Sequence, residues 1–275
     1  MVLGSITSIQ IGAAVATSLF SEIGSMGTVL LRVAFAAILL SILWRPTFRL
    51  PREQRWTVVL FAVSLSLVSL AFYGAIDRIP LGTAVTLEFV GPLGVALLNS
   101  RRRRDFVWAA MAAAGIILLT GGVSGDSIDP LGIALALVAG VFWGAYIVIG
   151  TRLGGESTGG SLLAVAMVIS AVICLPPGVV SGGMDLLSPE VLAVGLAVGL
   201  LSAAIPFSLE FEAMRHLPPN VFGVMMSLEP AVAALVGFVA LGQGVHLTQA
   251  VAIALVVTAS AGALRSSRGP IPVEP

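Results

Sequence analysis

Apolar runs long enough to cross a bilayer follow one another along nearly the whole of this 275-residue chain. A hydrocarbon core of about 30 Å needs roughly 20 helical residues per crossing. Only helices and closed barrels satisfy their backbone groups in lipid, and runs of this length are helical. Charged residues make up 10% of the chain and hydrophobic ones 57%, against about 25% charged in soluble domains. The fold class that follows is an all-α membrane protein. Ten spans can be drawn: 2–20, 26–44, 56–76, 81–99, 106–122, 131–150, 161–176, 191–214, 220–241 and 246–264. Met1 leads almost directly into the first span without a basic stretch, so that helix is expected to be retained.

Arginine placement orients the spans, and the chain has no lysine. With the N-terminus cytoplasmic, one set of loops and the tail collects Arg45, Arg49, Arg52, Arg55, Arg101, Arg102, Arg103, Arg104, Arg152, Arg215, Arg265 and Arg268. The opposite turns hold Arg78 with Glu22, Asp77, Asp126, Asp129, Asp185 and Glu190. The positive-inside rule then predicts that both termini are cytoplasmic.

Within the fourth span, Glu88 lies four residues before Pro92. Proline has no N–H, so the Glu88 carbonyl loses its helical partner at the level of its own side-chain charge. A shift of 138 residues lays Pro80 and Pro92 on Pro218 and Pro230, with Glu229 beside the second proline. The same shift puts Glu88 on Met226 and Glu229 on Gly91, so the two carboxylates are not equivalent. Five spans per half is an odd number, so the second half must enter the membrane inverted. The predicted organisation is a first five-helix repeat over 1–122, an inverted repeat over 131–264 and a tail over 265–275. Inverted repeats with interrupted helices place transport sites near the midplane.

Ionisable side chains at membrane depth cost about 2.5–3.5 kcal/mol on the lower scale and therefore face a partner or a cavity. Glu88 and Glu229 read as proton-coupling or ammonium-recognising carboxylates, or else as structural pairs that hold helices together. Arg32, deep in the second span, would either clamp a carboxylate or neutralise Glu88. Gln10 points inward as ligand or as interhelical glue. Tyr73, Trp143 and Tyr146 line a cavity or pack. Glu210 and Glu212 lie close enough to a helix end to reach water, just beyond a third helix-interior proline, Pro206. The glycine pairs Gly140/Gly144 and Gly195/Gly199 read as close helix packing.

Soluble enzyme classes find little support. The two histidines, His216 and His246, fall on opposite membrane faces in this topology, and no phosphate-binding loop with its lysine is present. A net charge of zero makes no case for nucleic acid, and the lone Cys174 excludes an internal disulfide.

Several segments resemble the EamA-type branch of the drug/metabolite transporter superfamily, and within it the threonine/homoserine exporter group. They are S-I-Q-I-G-A (8–13), L-E-F-V-G-P-L-G-V-A-L (87–97), S-R-R-R-R-D-F-V-W (100–108), A-G-V-F-W-G-A-Y-I (139–147), I-P-F-S-L-E (205–210) and M-S-L-E-P-A-V-A-A (226–234). The resemblance implies a multi-pass protein of a bacterial inner membrane that exports small neutral amino acids against protons, with no cofactor. It points to Gln10, Glu88, Trp143, Tyr146 and Glu229 as cavity residues. Related exporters can carry a lysine late in the first helix, where this chain has Thr17. The expected partners are a small-molecule substrate, protons and the lipid bilayer, and a homodimer is one assembly open to such a chain. The same fold could instead carry a cationic drug or a nucleobase, or serve as a non-transporting membrane protein.

Overall fold

The computed structural model describes residues 1–46, 52–98, 105–121, 129–153, 159–216 and 225–266; among these the secondary structure is helical, without a strand. In chain order the helices are α1 (Val2–Thr17), α2 (Phe20–Trp44), α3 (Arg52–Ile76), α4 (Leu81–Glu88), α5 (Val90–Leu98) and α6 (Asp105–Gly121). They continue as α7 (Pro130–Leu153), α8 (Gly159–Gly182), α9 (Pro189–Gly199), α10 (Ile205–His216), α11 (Glu229–Leu241) and α12 (Leu247–Ser266). A π-helical turn, Leu200–Ala204, joins α9 to α10.

Five helices among the described residues are long and apolar enough to cross a membrane, and five shorter apolar helices accompany them. Large apolar side chains stand outward, among them Val180 at 87% exposure and Val239 at 73%. Lipid is the solvent that makes such a surface stable.

Helices stand over the described parts of the segments drawn as spans, with informative differences. The fourth breaks at Phe89 and the ninth at Ser227–Leu228, while the eighth passes through the π-turn. Each interruption lies within six residues before a proline, namely Pro92, Pro230 and Pro206. The second helix starts at Phe20 rather than Met26 as a short segment, which Gly24, at φ 70° and ψ 167°, kinks away from the helix that continues to Trp44. Glu22, expected in a turn, therefore sits in its first turn. The seventh runs through Pro176 and Pro177 to Gly182, since apolar sequence continues beyond them. The Arg101–Arg104 run, Pro218, Glu156 and residues 267–275 lie outside the described residues, as do the side chains of Glu212, Arg215 and His216.

Small residues set the packing, as expected where helix association relies on close van der Waals contact. Gly195 and Gly199 bring α9 onto Leu31 and onto Phe35 and the Arg32 carbonyl of α2. Gly82 of α4 meets the backbone of Ala234 in α11, where an added Cβ would come within 2.7 Å of Ala234 Cα. The main buried cluster draws on nearly every helix, with Val33 and Leu40 of α2, Leu87 of α4 and Met167 of α8 inside it.

Candidate functional site

Glu88 is the last residue of α4 and is 7% exposed. The Phe89 amide still bonds to the Val85 carbonyl at 3.0 Å, and Leu93 to Phe89 at 3.2 Å. The Glu88 carbonyl between them is the acceptor that Pro92 leaves without a helical donor. It lies against Gly140 of α7, where an added Cβ would come within 2.6 Å of the oxygen. One turn away, Gly91 meets the Gly140 carbonyl more closely still. The Gly140/Gly144 pair is thus the seat of the helix break. At its other end, α4 is held by the α11–α12 side of the protein. Gln243 Oε1 accepts from the Leu81 amide at 3.1 Å, and Gln249 Nε2 donates to Thr83 Oγ1 at 2.7 Å.

Glu229 opens α11 and is 6% exposed, the opposite end of a helix from the one Glu88 occupies. Helix dipoles oppose negative charge at a C-terminus and favour it at an N-terminus. Gln10 of α1, 1% exposed, donates through Nε2 to Glu229 Oε1 at 3.1 Å. Gln10 Oε1 and Glu229 Oε2 are both buried without a hydrogen-bond partner among the described residues. Glu88 lies within electrostatic range of both Glu229 and Arg32. The sequence-selected carboxylates and Gln10 therefore share one buried region, built by α1, α4 and α11.

Arg32 lies within electrostatic range of Glu88, yet its hydrogen bonds go to serines and a carbonyl. Nε donates to Ser202 Oγ at 2.8 Å, Nη2 to the Ser202 carbonyl at 3.1 Å and Nη1 to Ser69 Oγ at 3.0 Å. The Ser202 carbonyl is the one that Pro206 deprives of a helical donor. A guanidinium on α2 thus supplies what the proline in the eighth span withholds. Its carbon stands 5.6 Å from the centre of the Tyr73 ring, in cation–π range. Tyr73 is 2% exposed, with its hydroxyl directed to the neighbourhood of Ser202. An ion pair joins Arg78 and Asp129 at 2.9 Å, partly exposed. Arg78 and the Leu131 amide hold the Asp129 carboxyl below the usual carboxylate range.

Trp143 stands edge-on to Phe89, the residue at the break, with centroids 5.3 Å apart. Tyr146, a turn further along α7, stacks on Phe61 of α3 at 4.6 Å. Glu210 is half-buried, and Ser5 Oγ of α1 donates to its Oε1 at 2.6 Å. It lies within electrostatic range of Glu229 and Tyr146. Its distance from the helix end concealed this link, since the first helix that covers it is remote in sequence. Ser202 and Ser69 were missed for a similar reason, serine being too common in membrane helices to stand out. Thr17 bonds back to the Ala14 carbonyl at 2.7 Å.

Comparison with known proteins follows the same lines. The EamA-like transporter family matches residues 130–265. The threonine/homoserine exporter RhtA of Escherichia coli (strain K12) is 41% identical over 270 residues, covering 98% of this chain and 91% of that protein. The exporter of the same name from Salmonella typhimurium (strain LT2) is 41% identical over 264 residues, covering 95% and 89%. An uncharacterized transporter of Bacillus subtilis, YwfM, is 26% identical over 245 residues, covering 85% and 81%. A protein of known crystal structure, 20% identical, superposes with a TM-score of 0.67 over 95% of both chains, which shows a shared fold. The chain is a multi-pass membrane protein that belongs to the EamA-type transporters of the drug/metabolite transporter superfamily, close to the threonine/homoserine exporters.

Proposed function

We propose that this protein is a secondary active exporter of small amino acids of the threonine and homoserine kind, working by alternating access across a bacterial inner membrane and coupled to protons. The observation that carries the reading is 41% identity, over nearly the whole of both chains, to proteins named as threonine/homoserine exporters. The buried carboxylates support it, since a membrane interior retains such groups where they serve a pathway or a partner.

Ten spans in two inverted halves, with both termini cytoplasmic, fit this reading. The break at Phe89 and the break at Ser227–Leu228 coincide under the 138-residue shift that superposes Pro92 on Pro230. The carboxylates flank these breaks on opposite sides, Glu88 before the first and Glu229 after the second. In the mechanism, cargo enters from the cytoplasm and the protonation state of Glu88 biases the inward–outward equilibrium. Glu88 is the better switch because the dipole of its own helix opposes its charge. A few kcal/mol of differential binding between the two states is sufficient to shift the populations.

Counterflow in proteoliposomes tests the transport reading. Vesicles preloaded with unlabelled threonine should accumulate labelled threonine, and homoserine should replace it. No flux across a panel of small amino acids, with flux of a cationic drug or a nucleobase instead, would transfer the fold to another cargo. No flux of any solute would remove the transport reading.

A further inference from the structure

The Gln10–Glu229 pair has unused capacity of one kind. A carboxylate only accepts hydrogen bonds, so the amide nitrogen of Gln10 must be the group that faces it, as the 3.1 Å contact shows. That choice turns the amide oxygen away from Glu229. Gln10 Oε1 and Glu229 Oε2 are then two buried acceptors on one pair, and neither has a donor among the described residues. Both residues are more than nine-tenths buried. Buried acceptors in native proteins are almost always satisfied, so two on one pair call for a ligand that donates.

Arg32 points the other way. Its Nε and both terminal nitrogens are each bonded to Ser202 or Ser69, and Tyr73 covers its face. Three of its five N–H groups are thereby taken, so a carboxylate arriving at Arg32 would share the guanidinium with Ser69, Ser202 and the carbonyl that Pro206 leaves without a helical donor. The obvious cation for the acid end of an amino acid is already engaged by the fold through most of its donors.

We propose that Gln10 Oε1 and Glu229 Oε2 form the subsite for a primary ammonium group of the cargo, and that Arg32 does not hold the cargo's carboxylate. An ammonium carries three N–H donors and no acceptor, the complement of this pair, and its charge opposes that of Glu229. The class of ligand is a small primary amine whose acid end is free to vary, so esters and amino alcohols fit as well as amino acids. A quaternary ammonium, which has no N–H, does not. The choice of probes rests on the exporter reading above.

Displacement of labelled threonine from purified protein, with thermal stabilisation by each unlabelled compound, separates the two ends. Threonine methyl ester keeps the ammonium, whereas N-acetylthreonine loses it. The ester is expected to compete within about threefold of threonine and the N-acetyl compound about tenfold or more weaker, the size of one charge-assisted contact. Glu229→Gln, nearly the same shape, should lose about tenfold in affinity for the ester. Gln10→Ala should weaken it in the same direction. Competition by N-acetylthreonine equal to threonine, or unchanged ester affinity in folded Glu229→Gln, would overturn the subsite; it would also mean that water alone satisfies the two acceptors. If threonine neither binds nor moves while the ester stabilises wild type but not Glu229→Gln, the exporter reading falls and the subsite stands. If threonine is transported and the N-acetyl compound competes equally, the reverse holds. Stabilisation by none of the compounds overturns the subsite as well.

Discussion

Four glycines around the first helix break turn its geometry into a graded series. A Cβ on Gly94 of α5 would meet nothing within 4 Å, and one on Gly144 of α7 would lie 3.3 Å from the Gly91 carbonyl. On Gly140 it would lie 2.6 Å from the Glu88 carbonyl oxygen and 3.2 Å from its carbon. On Gly91 it would run into the Gly140 carbonyl more closely still. Every alanine gains about the same helix propensity, roughly 1 kcal/mol over glycine. Differences within the series therefore isolate the clash. Backbone atoms cannot swing aside as a side-chain tip can, so Gly140→Ala must part α7 from the Glu88 peptide. Overpacking of that kind costs about 1–3 kcal/mol. Gly94→Ala is expected to be as stable as wild type or up to about 1 kcal/mol more so. Gly140→Ala should fall about 1–3 kcal/mol below Gly94→Ala, with Gly144→Ala between them and Gly91→Ala lowest. The protein carries its own reporter, because its single cysteine, Cys174, is fully buried. A thiol-reactive fluorophore added during heating reads the unfolding midpoint directly. Equal midpoints for Gly140→Ala and Gly94→Ala would refute the claim that the freed Glu88 carbonyl is packed against a bare Cα.

Arg32 and Pro206 should be coupled. Pro206→Ala returns an N–H to the turn that follows the Ser202 carbonyl, so Arg32→Met ought to cost less in that background; a cycle on unfolding midpoints should give an interaction of at least about 0.5 kcal/mol, whereas additivity would remove the link. For Asp129, whose carboxyl Arg78 holds below the usual range, the sign follows from linkage. A depressed folded-state value adds stability above the unfolded pKa that is lost as pH falls through the folded one. Any advantage of wild type over Asp129→Asn at neutral pH should therefore vanish in acid, and an advantage that grew on acidification would reverse the assignment. Disruption of Ser5 should reach Glu210: Ser5→Ala is expected to change transport without changing the amount of folded protein, as judged by fluorophore protection of Cys174.

Much of the fold was legible because the membrane imposes so few solutions. Apolar run length gave the helices, and a missing proline N–H marked each interruption within two turns. The three prolines located the broken spans, yet they could not say whether a break would be a kink, a turn or a π-turn. That choice depends on neighbours, such as Gly140 at Glu88 and Arg32 at Ser202. Glu88, Glu229 and Gln10 stood out because charge and amide groups are conspicuous in apolar sequence. Their partnership was not visible, since α1 and α11 are joined only in space. Arg32 shows the limit most clearly. The sequence offered it acidic partners, and the fold gave it two serines, a carbonyl and a tyrosine ring.

The account as a whole stands on movement of protons with amino acid. Proteoliposomes loaded with threonine and a trapped pH dye, diluted into threonine-free buffer without any imposed pH gradient, measure it in one trace. Proton-coupled export predicts that the lumen acidifies as threonine leaves, and that Glu88→Gln releases threonine, if at all, with no acidification. Threonine efflux from wild type at unchanged internal pH would contradict the coupling, and equal acidification in Glu88→Gln would clear Glu88 of it.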